Sequence, residues 1–304
     1  MKPFIKWVGG KTQLLPEIRK KYPIDLGMSI TKYCEPFIGG GAVLFDILPN
    51  YELKEVRIND INKELTNTYT QIKTNLAHLV NELETMQNLF WVMDTDARKL
   101  YYYEKRERFN YLKVNGDETI NFEKAALFIF LNKTCFNGLF RVNKKGGFNV
   151  PIGAYKKPLI CDKENLTEIN KVLQNVTITT GDYKECLDFI DKNTFVYIDP
   201  PYRPISETAS FTSYAEMDFN DDEQVALGQF VDRANDKGAK VVISNSDPKN
   251  HDKTDNFFDD IYNKYDISRV SAKRMINCNA SSRGDITELL ISNFDINKKY
   301  TYFN

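Results

Sequence analysis

The stretch of sequence that decides the fold is residues 32–60, which read KYCEPFIGGGAVLFDILPNYELKEVRIND. Lys32–Glu35 predicts a short strand, and the glycine turn Phe37–Gly41 follows it at once. Ala42–Ile47 predicts the start of a helix, and Val56–Asn59 predicts a second short strand. A strand, a glycine turn, a helix and another strand, in this order, open a doubly wound α/β domain.

The α/β pattern returns in the second half of the chain. Residues 220–237 predict a helix with Gly238 as its C-cap, because glycine readily adopts the left-handed conformation that ends many helices. We therefore expect an α/β, Rossmann-like fold with a mostly parallel, twisted sheet, formed by residues 1–60 and 160–304. Its further strands are predicted at Val176–Thr179, Phe195–Ile198, Lys240–Ser244 and Leu289–Ser292.

Residues 61–159 predict a helical and β-hairpin module inserted into that domain. Apolar residues recur at helical spacing up to Thr134, and Gly138–Tyr155 alternates around a Lys-Lys-Gly-Gly turn, as in a β-hairpin. Part of this module carries charge of one sign only. Between residues 125 and 161 there is no Asp or Glu, and the basic residues are Lys133, Arg141, Lys144, Lys145, Lys156 and Lys157. A positive electrostatic field suits a phosphate backbone, although a solvated protein surface can carry the same charge.

The composition is that of a soluble globular protein. The 304 residues are 42% hydrophobic and 27% charged, with a net charge of -1, which supports a sizeable core. We expect a cytoplasmic monomer without a membrane span or signal peptide. The five cysteines are widely spaced, so neither a disulfide framework nor a metal site is expected. They are Cys34, Cys135, Cys161, Cys186 and Cys278.

The glycine turn has three interpretations, of which two fit poorly. A dinucleotide site of the NAD type needs a third glycine or an alanine where this chain has Leu44. A phosphate-binding P-loop, suggested by Gly10-Lys11-Thr12, needs a glycine where this chain has Ile5, and it needs a preceding strand. The remaining interpretation is a nucleoside cofactor without a pyrophosphate.

A nucleoside cofactor would use the backbone amides of the turn and the carboxylate that ends the second strand. Amides at a helix N-terminus can approach a ligand carboxylate, and Asp60 can accept hydrogen bonds from both ribose hydroxyls. Ile61 and Tyr183 could cover the two faces of an adenine ring. Alternatively, Asp60 is an ordinary cap of the helix that follows. The candidate cofactor residues in this region are Glu35, Phe37, Gly39, Gly41, Asp60, Ile61, Asp182 and Tyr183.

The sharpest chemical signal is Asp199-Pro200-Pro201-Tyr202, at the carboxyl end of a predicted strand, where open α/β sheets place their chemistry. Two consecutive prolines fix the backbone, so that the Pro200 carbonyl points in a set direction. That carbonyl and Asp199 form two acceptors that suit the two N–H donors of an aromatic amine. Tyr202 offers a ring for stacking on a base. The alternative is a strand that simply ends in a proline turn.

These motifs, in this order, resemble those of the Dam-type N6-adenine DNA methyltransferases, the alpha class of amino methyltransferases. Phe4–Lys11 resembles the N-terminal cofactor motif, Glu35–Gly41 the glycine motif and Asp199–Tyr202 the catalytic motif. The resemblance implies a class I methyltransferase fold, S-adenosyl-L-methionine as cofactor, and double-stranded DNA as substrate. It implies that Asp199, Pro200, Pro201 and Tyr202 hold the target adenine. It also implies cofactor contacts by Trp7, Lys11, Asp60 and Asp199.

The inserted module lies where this family has its target-recognition region. The resemblance implies that Arg141 reads a guanine edge, that Phe136 is a stacking wedge, often Tyr in the family, and that Asn137 faces the orphan thymine. Leu139 and Pro151 would lie near thymine methyl groups. GATC is thus the expected site, although similar hairpins occur in relatives with other sites. In members that read GATC, the matching DNA contacts are Lys6, Leu139, Arg141, Pro151 and Tyr155.

Three other functions compete with this one. N4-cytosine methylation would suit the same acceptor pair, but those enzymes usually have Ser at position 199. A non-catalytic DNA-binding regulator would have no need of the acceptor pair, and RNA methylation fits a duplex-reading hairpin less well. The loop Asn277–Gly284, with Ser281, Ser282 and Arg283, is a further candidate for phosphate contact or an ordinary surface loop.

Overall fold

The computed structural model describes residues 1–115, 121–203, 219–273 and 285–295. The loop Asn277–Gly284, predicted as a phosphate contact, lies outside the described residues, as does Cys278. Within the described ranges, no helix is long and apolar enough to cross a membrane.

A mostly parallel sheet organises the described residues. Its strand order is β3-β2-β1-β4-β5-β7-β6. β1 pairs in parallel with β2 and with β4, and β4 pairs in parallel with β5, whereas β7 runs antiparallel to β5 and β6. This confirms the predicted fold class. The strands are β1 Lys32–Glu35, β2 Glu55–Asp60, β3 Val176–Thr180, β4 Thr194–Ile198, β5 Lys240–Ser246, β6 Asp266–Lys273 and β7 Asp285–Ser292.

The helices begin and end where the sequence supplies caps. Asn220 accepts a hydrogen bond from the Glu223 amide (3.0 Å) at the start of α8, and Gly238 has φ of 82° just beyond its end. Asn62 caps α3 in the same way, accepting from the Leu65 amide (3.0 Å). The helices are α1 Leu15–Arg19, α2 Leu44–Ile47, α3 Lys63–Thr74, α4 Leu76–Val92, α5 Thr95–Asn115, α6 Phe122–Thr134, α7 Lys163–Leu173, α8 Asp221–Asp236 and α9 Phe257–Ile261.

The chain forms two compact units. The first comprises residues 1–10, 39–49 and 59–181, and α6 is buried within it from Ala125 to Asn132. The second comprises residues 11–38, 50–58 and 182–304, and its core packs α8 against the central strands, with Leu227, Val231 and Ile243 buried. The predicted domain division at residues 60 and 160 stays a prediction.

The predicted hairpin is present as two arms joined by isolated bridges rather than by a continuous ladder. Cys135 pairs with Ile152 and Val142 pairs with Phe148, both antiparallel. The Asn143 amide donates to the Gly147 carbonyl (2.8 Å) and closes the turn between the arms.

Candidate functional site

Asp199 lies at the end of β4 and is held by two donors. Its Oδ1 accepts from the Lys11 ammonium (2.9 Å) and from the Ser244 hydroxyl (3.1 Å). Ser244 belongs to the neighbouring strand β5, and its hydroxyl also bonds the Tyr197 hydroxyl (2.9 Å). Lys11 is only 4% exposed, so its charge is paired with Asp199 away from water. The strand pairing therefore fixes the orientation of the Asp199 carboxylate.

The groups around Asp199 have opposing effects on the pKa of its carboxyl. Burial raises the pKa of Asp199, the Lys11 ammonium and the Ser244 hydroxyl oppose that rise, and the charge of Glu288 adds to it. The net result is a raised pKa. The carboxylate thus depends on its donors to stay charged.

The two prolines of the motif present their carbonyls differently. The Pro201 carbonyl accepts from the side-chain amide of Gln224 (3.0 Å), which is fully buried and is itself bonded by Asn245 (3.2 Å). Among the described residues, no donor bonds the Pro200 carbonyl. The motif is therefore anchored through Pro201, and the predicted role of the Pro200 carbonyl as an acceptor beside Asp199 stays a prediction.

Tyr202 is held at its face and at its hydroxyl. The Lys11 ammonium lies 4.7 Å from the ring centroid, a distance suited to a cation–π contact. The Tyr202 hydroxyl donates to Glu288 Oε2 (2.7 Å) on β7. Burial and the nearby carboxylates Asp199 and Glu288 raise the pKa of Tyr202, so the phenol stays a neutral donor.

In the first unit, Asp60 ties the glycine turn to the start of α3. Its Oδ2 accepts from the Gly39 amide (3.1 Å) and its Oδ1 from the Asn62 amide (3.0 Å). Because Asn62 is the residue that caps α3, Asp60 is not the N-cap that the alternative interpretation proposed. Burial raises the pKa of Asp60 to about 6, against the opposing effect of the amides of Asn62, Gly39 and Ile61.

Gly39 and Gly41 have positive φ values and close neighbours that a larger residue would not tolerate. Gly39 has φ of 47°, and a Cβ there would lie 2.9 Å from the Trp7 ring. Gly41 has φ of 73°, and its Cβ would lie 2.5 Å from the Tyr69 hydroxyl, which donates to the Gly39 carbonyl (3.0 Å). Beside Asp60, the apolar side chain of Ile61 is 46% exposed. The structure thus brings together Trp7, Gly39, Gly41, Asp60 and Ile61.

The other candidate cofactor residues lie in the second unit. Glu35 is buried and accepts from the Tyr33 hydroxyl (2.7 Å), and Asp182 is exposed and accepts from the Lys184 amide (2.8 Å). Phe37 packs on Tyr183 with 5.0 Å between ring centroids. Tyr183 is 5% exposed, so most of its ring belongs to the core.

The predicted DNA contacts Lys6 and Tyr155 meet beside the hairpin. The Lys6 ammonium donates to the Tyr155 hydroxyl (3.1 Å). The Lys6 amide and carbonyl both bond the side chain of buried Asn132 (2.8 Å each), which also donates to the Gly138 carbonyl (2.9 Å). The Asn132 side chain therefore links the N-terminal segment to the hairpin through hydrogen bonds.

The hairpin presents most of its predicted DNA contacts to solvent. Phe136 is 52% exposed, and Asn137 has φ of 56°, unusual for a residue other than glycine. Arg141 is exposed, and its Nε donates to Asn149 Oδ1 (2.8 Å). Leu139 is half-buried and Pro151 is exposed. An exposed ring and an oriented guanidinium at one hairpin suit contact with bases.

Four of the five cysteines lie within the described residues. Cys34, Cys135, Cys161 and Cys186 are free and buried. No group of three or more His, Cys, Asp or Glu residues within the described ranges could hold a metal ion.

Comparison with known proteins adds evidence of a different kind. The model of the family described as D12 class N6 adenine-specific DNA methyltransferase matches residues 7–276. The chain is 48% identical to the type II methyltransferase M.MjaIII of Methanocaldococcus jannaschii over 97% of its own length and 99% of that protein. It is 36% identical to the type II methyltransferase M1.LlaDCHI of Lactococcus lactis subsp. cremoris, over 97% and 96%. It is also 34% identical to a DNA adenine methylase of Vibrio cholerae, over 94% of each chain.

Proposed function

Because the chain belongs to the family of D12 class N6 adenine-specific DNA methyltransferases, we propose that it methylates N6 of an adenine flipped out of duplex DNA, at the sequence GATC, with S-adenosyl-L-methionine as the methyl donor. The observation that carries the proposal is the acceptor pair at the end of β4. Asp199 is fixed by Lys11 and Ser244, and the Pro200 carbonyl beside it has no donor among the described residues.

This acceptor pair suits the poor nucleophilicity of an aromatic amine. The lone pair of adenine N6 is delocalised into the ring. Two acceptors on its N–H groups favour a more tetrahedral nitrogen and stabilise the positive charge that develops on it during attack. Asp199 supplies a negative acceptor and Pro200 a neutral one, while the Tyr202 ring stacks on the base.

The first unit carries residues that fit the cofactor. The exposed apolar side chain of Ile61 suits one face of an adenine ring, and the Asp60 carboxylate suits ribose hydroxyls. The glycine turn, packed against Trp7, offers backbone amides near the start of α2 for a ligand carboxylate. When bound, S-adenosyl-L-methionine supplies a methyl group on a sulfonium, which is a good leaving group.

Recognition of GATC rests on the hairpin. The Arg141 Nε bond to Asn149 orients the guanidinium and leaves its two Nη groups to pair with O6 and N7 of a guanine. Phe136 would fill the space that the flipped base leaves, with Asn137 facing the unpaired thymine. This site assignment comes from the resemblance of the hairpin and from the exposure of these side chains.

The test uses radiolabelled S-adenosyl-L-methionine and two duplexes, one with GATC and one with the site scrambled. Label on the GATC duplex alone, recovered as N6-methyladenine, is the expected result. Label on other sequences would refute the GATC assignment, and absence of label from genomic DNA would refute the proposed activity.

Two variants separate catalysis from recognition in that assay. Asp199→Ala should lower kcat by at least about a hundredfold, because the positive charge that develops on N6 loses its negative acceptor. DNA binding should stay nearly unchanged, since the predicted DNA contacts lie elsewhere; the buried Lys11 ammonium also loses its partner, so thermal unfolding of the variant is the control for its folding. Arg141→Ala should cost about 1–3 kcal/mol of discrimination at the guanine, measured as the ratio of kcat/KM for matched and mismatched duplexes. A near-normal rate for Asp199→Ala would contradict the mechanism.

A further inference from the structure

Glu288 lies on β7, far along the chain from the Asp-Pro-Pro-Tyr motif, yet it contacts that motif. β7 pairs antiparallel with β5, and Glu288 lies opposite Ser246 in the register. Its Oε2 accepts from the Tyr202 hydroxyl (2.7 Å), a contact between residues 86 positions apart. Glu288 is therefore brought to the motif by strand pairing.

The contact joins a neutral donor to a carboxylate. The raised pKa of Tyr202, caused first by burial, keeps its hydroxyl protonated. A hydroxyl that donates to a carboxylate makes a shorter and stronger bond than one that donates to a neutral group. Glu288 itself is half-buried, so water competes weakly for its oxygens.

Within the described residues, the bond holds the end of the Tyr202 ring that the other contacts of the site do not hold. The Lys11 ammonium lies over the ring face and is bound to Asp199, and the Pro201 carbonyl is anchored by Gln224. These contacts hold the backbone and one face, whereas the far end of the ring is held by its hydroxyl. Without Glu288 the ring could pivot about its Cα–Cβ bond.

We propose that Glu288 is a positioning residue, which fixes the Tyr202 ring through the hydroxyl so that the ring can hold the target base against Asp199 and Pro200. The inference rests on the proposed role of Tyr202 in the function described above. Loss of the bond leaves the acceptor pair intact but misplaces the base, and small misplacements of a reacting group reduce rates strongly.

The experiment compares Glu288→Gln, which keeps an acceptor of the same shape, with Glu288→Leu, which has none. Steady-state rates are measured on the duplex that the wild-type enzyme methylates. We expect Glu288→Leu to lower kcat by roughly tenfold to a hundredfold and to raise KM for DNA, with KM for the cofactor unchanged. Glu288→Gln should stay within about threefold of wild type, since the hydroxyl keeps a partner. Glu55→Gln, an exposed carboxylate on β2 that is 61% exposed, is the control.

Tyr202→Phe removes the same hydrogen bond from the other side without changing the sheet. If Glu288 acts through the hydroxyl, Tyr202→Phe and Glu288→Leu lower kcat by similar factors, and the double variant is no worse than either. Additive losses, an unaffected Tyr202→Phe, or a Glu288→Gln as slow as Glu288→Leu would each overturn the proposal. The Tyr202→Phe result decides even if Glu288→Leu fails to fold. A wild-type enzyme that methylates no duplex would instead refute the proposed function.

Discussion

Replacing Lys11 with Met tests whether the buried ion pair controls the ionisation of Asp199. Methionine nearly matches the length of lysine but carries no charge. The ammonium and the carboxylate lie 2.9 Å apart, with side chains 5% and 21% exposed. Removing one partner of a buried ion pair costs about 3–5 kcal/mol. Because Asp199 keeps some exposure, the lower end of that range applies.

Loss of the ion pair in Lys11→Met should change the ionisation of Asp199. The pKa of Asp199 is already raised by burial, and Lys11 is the largest influence that opposes the rise. Without the Lys11 ammonium the pKa of Asp199 rises further, because the largest influence that opposes the effect of burial is lost. The acid limb of the kcat profile should therefore move to higher pH, since the protonated carboxyl is a poor acceptor.

The assay is the pH dependence of kcat at saturating cofactor and DNA. Lys20→Met is the matched control, because Lys20 is exposed and pairs with Glu17 (2.7 Å) at the surface; it should keep the wild-type profile. A Lys11→Met enzyme that loses rate equally at all pH values, or whose acid limb moves to lower pH, would refute the argument.

The loss of folding stability caused by Lys11→Met should also depend on pH, in the direction set by the raised pKa of Asp199. A carboxyl whose pKa is raised in the folded state binds more protons when folded than when unfolded, so its contribution to stability falls as pH rises. Lys11→Met raises that pKa further. Urea unfolding should therefore show a larger loss of stability at pH 8 than at pH 5, and the reverse order would contradict the assigned direction.

Two further changes test the first unit. The pKa of Asp60, raised to about 6 by burial, predicts that cofactor affinity falls as pH drops through that value, and Asp60→Asn should remove this dependence in a calorimetric titration. Gly138→Ala places a Cβ 2.6 Å from the Lys6 side chain at φ of 66°. The resulting strain should lower the free energy of unfolding by about 1–3 kcal/mol. The variant should bind DNA more weakly in an anisotropy titration and keep its cofactor affinity. Gly146→Ala is the control for the second test, since its φ of 77° is similar but nothing lies within 4 Å of the added Cβ.

The sequence predicts the elements whose signals are local. β1, the glycine turn and β2 follow from a short stretch of apolar runs and glycines, and α8 follows from its caps and its spacing. The sequence does not predict β6, because Asp266–Lys273, reading DISRVSAK, has neither a continuous apolar run nor a clear polar alternation. It becomes a strand through pairing with β7, and such pairing has no local signal.

The residues of the candidate site also differ in whether a local sequence signal identifies them. Asp199 and its prolines are contiguous and can be identified directly from sequence. Ser244 and Glu288 contact the motif from β5 and β7, and no spacing within the chain indicates those contacts. The strand that ends at Ser244 is predicted, and so is the strand Leu289–Ser292, which begins one residue after Glu288. Neither prediction indicates that these strands lie beside the motif.

Ionisation gives evidence on Asp60 and Asp199 that is independent of the motifs by which they were chosen. Among the described aspartates whose pKa clearly departs from its ordinary value, only these two have a raised pKa, and in both the effect of burial prevails over that of the donors. At the others hydrogen-bond donors, joined at three of them by Lys or Arg, outweigh the effect of burial and lower the pKa. A carboxylate that loses hydration is costly to keep, so the raised pKa values of these two half-buried side chains support the binding and catalytic roles proposed for them. The aspartates with a lowered pKa are Asp162, Asp191, Asp252 and Asp259.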